Sequence, residues 1–230
     1  MDPKLLLSDI FNRALADYFY LIDKGYPEKG SLKIVGDRYR LPTELRTLLY
    51  RGISSAEISK KRIARILLKP IPPLIIDGYN VLLTLMNYRL GRFVFISTDT
   101  LCRDAGSLFG KILSDIVLED CILQLVTHLQ LYSDFQIIIY LDAPVSNSQY
   151  HGELLLSMIK PDNPQIEVKV VQSADDSILQ QTEGTIASSD SELIDNSNLP
   201  IIDIPFRMLR EKYNTEFFSL NDKLAEVIHS

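Results

Sequence analysis

The 230-residue chain has no tryptophan, only two cysteines and only three histidines. Each shortage excludes a chemistry. Cys102 and Cys121 stand alone in the sequence, so neither a disulfide framework nor a Cys-rich zinc site is expected, and both are read as reduced, structural thiols. His128, His151 and His229 are scattered, which argues against a histidine-centred metal site or a catalytic triad. No apolar run approaches the roughly 18 residues that a membrane helix needs. The start, MDPKLLLSDIFNR, has no basic stretch, long apolar segment or small-residue cleavage site, so no signal peptide is read and a cytoplasmic location is expected. A Gly-rich segment ending in Gly-Lys-Ser/Thr is also missing, and with it the P-loop NTPases.

What is present suits a folded domain. Hydrophobic residues make up 46% of the chain, enough to bury a sizeable core in one large domain, or in one domain with a small module. The net charge of −6 hides an asymmetry. Residues 1–70 carry 14 Lys and Arg against 8 Asp and Glu, a net +6, and residues 71–230 carry 10 against 22, a net −12. Such a split suits a basic nucleic-acid contact beside an acidic site, or else two ordinarily solvated surfaces.

Residues 1–69 read as an all-α module. Leu7, Ile10, Phe11, Ala14, Leu15, Tyr18, Leu21 and Ile22 recur at helical spacing, and Gly25 and Pro27 stop that helix. Further helices are expected over Glu28 to Tyr39, from Thr43 to Gly52, and from Ser55 to Leu68. Arg38, Arg40, Arg46 and Arg51 interleave with Tyr39 and Tyr50. Guanidinium forks suit phosphate and aromatic rings can stack on unpaired bases, so this module is one candidate for RNA contact. A helical cap whose cations pair with acids of the following domain explains the same residues equally well.

Beyond the prolines at 70, 72 and 73 the pattern changes. Leu74-Ile75-Ile76 runs into Asp77-Gly78-Tyr79-Asn80 and a second apolar stretch, as a strand buried on both faces and turning into a helix would. Strands are expected over Phe93 to Ile96, Phe135 to Leu141, Ile166 to Val171, Gly184 to Ala187 and Ile201 to Ile204. Helices are expected over Val81 to Leu90, Ile112 to Leu131, up to Ile159 after a loop from Pro144 to Ser148, at Ser173, over Phe206 to Tyr213 and from Leu220. A polar loop, Ser97 to Gly110, holds Asp99, Arg103 and Asp104. Alternating strands and helices predict an α/β domain over 73–230, with a largely parallel, five-stranded sheet and helices on both faces.

The acids then fall into a pattern. Asp77, Asp142 and Asp190 each follow an apolar strand at once or within a few residues, and Asp175 and Asp176 open a helix just after another strand. In a parallel sheet all these strand ends lie on one edge, where open α/β sheets bind ligands. An aspartate before a helix is also a favoured N-cap, and capping alone would explain any one of them. Clustered carboxylates without Cys or His point to Mg2+ or Mn2+ rather than zinc.

Asp77-Gly78-Tyr79-Asn80, Asp142, Ser173-Ala174-Asp175-Asp176-Ser177-Ile178 and Ser188-Ser189-Asp190 together resemble the PIN-like nuclease superfamily, especially its NYN and YacP-like branches. The preceding module, with Val35-Gly36-Asp37-Arg38-Tyr39-Arg40 and Leu49-Tyr50-Arg51-Gly52, resembles the prokaryotic family called domain of unknown function 434. The resemblance implies a Rossmann-like fold and a metal-dependent ribonuclease. It implies Asp77, Asp175 and Asp190 as metal ligands and Asp142 and Asp176 as supporting acids. Asn80 would orient Asp77 or a water, and Ser189 a phosphate or water. A further acid that many PIN domains carry mid-chain has no clear match here; Asp104, beside Arg103, is the preferred stand-in over Glu119. Arg38, Arg40, Arg46, Arg51 and Arg103 are expected to contact single-stranded or structured RNA, and a second copy of the chain is left open as a partner. A non-catalytic RNA-binding protein and a small-molecule phosphohydrolase are the alternatives.

Overall fold

The computed structural model describes residues 3–106, 115–159 and 165–229. Five helices come first: α1 (Pro3–Leu6), α2 (Asp9–Asp23), α3 (Glu28–Arg38), α4 (Thr43–Gly52) and α5 (Ala56–Ile63). Next come β1 (Leu74–Asp77), α6 (Gly78–Arg89), β2 (Val94–Ile96) and β3 (Cys102–Asp104), then α7 (Asp115–Leu129), β4 (Ile137–Asp142), α8 (Ser148–Met158), β5 (Ile166–Val171) and α9 (Ala174–Leu179). The chain closes with β6 (Thr185–Ala187), α10 (Ser191–Asn196), α11 (Ile204–Tyr213), β7 (Phe218–Ser219) and α12 (Leu220–His229).

These elements form two compact units that do not follow chain order. One comprises the chain up to Ala64, Gly91–Gly106 and the segment from Glu216. The other comprises Arg65–Leu90 and the residues from Ser107 to Thr215. The first unit therefore takes β2, β3, β7 and α12 out of the stretch that the sequence assigns wholly to the α/β domain. Its core joins Phe11, Leu15 and Tyr18 of α2 and Leu45, Leu48 and Leu49 of α4 to Phe95 of β2 and Leu220 and Leu224 of α12. Its helices begin where the local chemistry predicts. The Ser8 hydroxyl accepts from the Phe11 amide and caps α2, and Gly25, at φ +78°, releases the chain after that helix. Here β2 pairs antiparallel with β3 and parallel with β7. The expected polar loop after Ser97 thus contains a strand, and its residues from Ser107 lie outside the described part, as does the expected start of the following helix at Ile112.

The second unit holds a four-stranded, all-parallel sheet in the order β5-β4-β1-β6. Counted along the chain, that order is third, second, first, fourth. Every residue of β1 is buried, which is why its sequence is apolar throughout except at Asp77. The strand expected over Ile201 to Ile204 does not form. Only Ile201 bridges to Ile186 and Ile66, because the Asp203 carboxylate accepts from the Phe206 amide and starts α11 at Ile204, with Pro205 in its first turn. The fourth helix likewise stops at Ile63 rather than Leu68, since the chain bridges to Ile201 at Ile66.

The register fixes the edge at which the strands end. Ile76 lies opposite Ala187, and Asp77 opposite Tyr140. The residue after β6, Ser188, therefore comes alongside Asp77. Gly78 lets α6 leave β1 tightly against β4. A Cβ there would lie 2.6 Å from the Leu141 side chain and 2.8 Å from the Tyr140 carbonyl oxygen, and the latter is backbone that cannot move aside. Gly30, by contrast, is helical with nothing within 4 Å. Gly78→Ala should therefore cost about 2 kcal/mol by overpacking, while Gly30→Ala should add up to about 1 kcal/mol. Urea unfolding of both variants checks the contrast.

Candidate active site at the carboxyl edge of the parallel sheet

The sheet order reverses direction between β1 and β6, and the carboxyl end of that seam is where α/β sheets form a crevice. Asp77 closes β1 and is 5% exposed. A buried carboxylate needs donors, and two converge on it. The Ser188 hydroxyl donates to Oδ2 at 2.9 Å, and the Asn80 amide donates to Oδ1 at 3.2 Å, capping α6. Burial still pushes Asp77 up to about 7, with the charges of Asp175 and Asp142 adding to the rise and the two hydrogen bonds opposing it.

Asn80 reaches across the same seam. Its Oδ1 accepts from both the Ser189 amide at 2.9 Å and the Ser189 hydroxyl at 3.1 Å. Asp190 caps α10, accepting from the Glu192 and Leu193 amides at 2.9 and 3.0 Å. The Asp190 amide in turn donates to the Ser188 hydroxyl at 3.1 Å. Ser188 thus ties Asp77 to the backbone of Asp190, a role that the sequence reading did not assign to it. The signal was there in principle: a buried acid at the end of one parallel strand requires a donor on the next.

On the other side of β1, Asp142 at the end of β4 accepts from the Ala174 amide at 2.8 Å and so holds the start of α9. Ser173 caps that helix through the Asp176 amide, which places Asp175 and Asp176 in its first turn, both exposed. Partial desolvation pushes Asp175 up to about 6, reinforced in turn by the charges of Asp190, Asp142, Asp176 and Glu192. Five of the sequence-derived acids are therefore brought within electrostatic reach at one edge. Next to them the Tyr79 hydroxyl meets His151 Nδ1 at 2.8 Å, with the rings edge to face. His151, scattered in the sequence, lies buried on α8 and meets Tyr79, two residues after Asp77.

Four sequence-derived residues are placed otherwise. Arg103 is 3% exposed and grips Asp99 with both arms of its guanidinium, at 2.6 and 2.8 Å, while Arg62 adds a third contact at 2.7 Å. Burial alone would raise Asp99, but the Arg103 charge, hydrogen bonds from Arg103 and Ser97, and the Arg62 charge together outweigh it and hold the carboxyl well below the usual range. Arg103 is thus a buried partner and not a surface for RNA. Asp104, also buried, accepts from Arg51 at 3.1 Å, and both belong to the first unit. Within that unit the Asp104 carboxylate is occupied by the Arg51 guanidinium and the Gly106 amide. Arg46 is spent in similar fashion, on the Leu41 carbonyl and Asp37, where it covers Gly36. Arg38 and Arg40 remain on the surface; Arg38 lies over the Tyr39 ring at 5.5 Å and makes a long contact with Asp17.

Among the described residues no three His, Cys, Asp or Glu side chains are grouped as a ready-made metal site, and no helix is long and apolar enough to cross a membrane. The family described as Protein of unknown function (DUF434) matches residues 10–65, and that described as Domain of unknown function (DUF5616) matches residues 72–206. An uncharacterized protein of Methanocaldococcus jannaschii is 27% identical over 193 residues, covering 83% of this chain and 91% of that protein. No solved structure matches the chain.

The environment of Asp77 has a consequence for stability. Its carboxyl is raised above the unfolded value, so the stability it contributes is full below about pH 4 and is lost as pH rises through about 7. In metal-free buffer Asp77→Asn should remove that loss, since Asn accepts the same cap bond and carries no charge. The variant should exceed wild type by roughly 2–4 kcal/mol at pH 8 and match it near pH 4, as measured by urea denaturation across that range.

Proposed function

The chain belongs to the family described as Domain of unknown function (DUF5616), and for it we propose a metal-dependent ribonuclease of PIN-like type that hydrolyses RNA phosphodiester bonds. The observation that carries this reading is the gathering of acids at one edge: Asp77 and Asp142 close neighbouring parallel strands, Asp190 follows β6, and Asp175 and Asp176 open α9, so that their charges add to the rise that burial chiefly causes in Asp77 and Asp175. Such an arrangement is costly unless a cation answers it.

The donors suit Mg2+ or Mn2+. They are all oxygen, with neither thiolate nor imidazole among the acids, and these ions take one or two carboxylates while keeping several waters, so a preformed cage is not required. Asp77, Asp175 and Asp190 are the residues that would hold the ion, with Asp142 and Asp176 beside them. When bound, it supplies the charge that offsets these carboxylates and polarises a phosphoryl oxygen. The chain's own part is positioning. Ser188 fixes the rotamer of Asp77. Asn80 has its oxygen engaged by Ser189, which leaves its amide donors for a phosphate oxygen. In the first unit, exposed Arg38 and Arg40 supply sequence-independent phosphate contacts beside Tyr39.

One observation favours a second reading. Asp77, Asp142 and Asp190 all serve backbone amides at helix starts, as purely structural caps would. A non-catalytic RNA-binding protein is consistent with that.

Cleavage and binding of a labelled single-stranded RNA separate the two. Wild type should cut the RNA with Mn2+ or Mg2+ and not with EDTA. Asp77→Asn and Asp175→Asn should each lose at least about a hundredfold in rate while keeping RNA affinity. Arg38→Glu with Arg40→Glu should weaken binding and flatten its salt dependence without changing the fold. Salt-dependent binding with no cleavage by any variant selects the non-catalytic reading. Cleavage that survives in Asp77→Asn refutes the assignment of that residue.

A further inference from the structure

The strand β5 forms one edge of the parallel sheet. It is six residues long, without proline or glycine, and among the described residues it has one strand neighbour, β4. Long edges of this kind invite pairing with another chain unless something blocks them.

The direction of its free backbone groups can be read from the hydrogen bonds at both ends. Ile137 N–H donates to the Gln165 carbonyl, and Ala143 N–H to the Val171 carbonyl. In a strand, successive residues turn their N–H and C=O to opposite sides. Residues 165, 167, 169 and 171 therefore address β4, and Ile166, Val168 and Val170 turn theirs outward. Side chains alternate too. Glu167 and Lys169 share one face of the sheet and pair at 2.7 Å, while Ile166, Val168 and Val170 share the other. On that second face α8 packs closely, since a Cβ on Gly152 would come within 3.0 Å of the Val170 side chain.

We propose that β5 pairs antiparallel with β5 of a second copy of this chain, about a two-fold axis through Val168, to make a continuous eight-stranded sheet across a homodimer. The strand is its own complement in this register. Val168 faces Val168 as a hydrogen-bonded pair, using the outward N–H and C=O of both copies. Ile166 and Val170 exchange the remaining outward groups. Glu167 then lies opposite Lys169 of the second copy, at the closer, non-hydrogen-bonded type of position, and the symmetry supplies that opposite-charge contact twice. Charged residues on an edge strand ordinarily deter pairing. Here the alternation of sign about Val168 converts them into matching partners. The axis is perpendicular to the sheet, so the α8 helices of both copies lie on one face, each carrying the exposed apolar side chains Tyr150 and Leu156.

Sedimentation of the full chain over a range of concentrations tests this. Wild type should reach twice the chain mass. Val168→Pro should be monomeric with an unchanged circular dichroism spectrum, because the amide it removes is one that β4 does not use. Glu167→Lys and Lys169→Glu should each raise the dimer Kd about tenfold or more by setting like charges opposite, and the double exchange should restore it. The charge series decides the matter if Val168→Pro does not fold. A wild type that stays monomeric, or a dimer indifferent to both single charge reversals, overturns the proposal.

Discussion

A carboxylate shut away at the end of an apolar strand is the constraint around which the α/β unit is arranged. Asp77 follows three fully buried residues of β1 and remains 5% exposed itself. Leaving it without donors would cost several kcal/mol. The donors it finds come from both sides of a chain reversal: the Asn80 amide, one turn into α6, and the Ser188 hydroxyl, at the end of β6. Gly78 allows the first by letting the helix start against β4 without collision. The parallel register of β1 with β6 brings the second. Two crosslinks from Ser189 to Asn80 then close the same seam. The seam between β1 and β6 is thus assembled by the need to satisfy one buried group.

The acids around it have two uses at once. Asp77, Asp142 and Asp190 each accept from amides at a helix start, where the helix dipole also favours negative charge. Those bonds make the cluster tolerable without a cation. They do not offset burial, which with a smaller contribution from the neighbouring charges still raises Asp77 and Asp175. The proposed nuclease rests on that residual tension. A helix needs one capping group; it does not need that group to face two other carboxylates at the switch point of a parallel sheet, as Asp77 does.

Much of this was legible in the sequence. The unbroken apolar runs Leu74-Ile75-Ile76 and Ile137 to Leu141 announce strands covered on both faces, and the acids that follow mark their carboxyl ends. The N-terminal helices are written in their spacing and in caps such as Ser8 and Ser55. What the sequence obscured depends on distant partners. Ile201 to Ile204 has the composition of a strand, yet Asp203 and Pro205 begin a helix there. Phe93 to Ile96 reads like any strand of the α/β domain, but Phe95 is buried with α2 and α4 of the first unit. Arg51, Arg103 and Asp104 look like surface charges in a polar stretch, and only folding shows that Arg103 is committed to Asp99 and Arg51 to Asp104. Ser188 has no local signal at all, since its importance lies in the residue opposite it.

The most direct test of the account is to locate a cation. A crystal of the full chain grown with Mn2+ and measured at a wavelength where manganese scatters anomalously should show one strong peak at the carboxyl edge, within about 2.0–2.5 Å of an oxygen of Asp77 or Asp175, and none in a crystal of Asp77→Asn. A wild-type crystal without an anomalous peak at that edge, with Asp77, Asp142 and Asp190 still bound to their helix amides, would contradict it and leave these residues as caps.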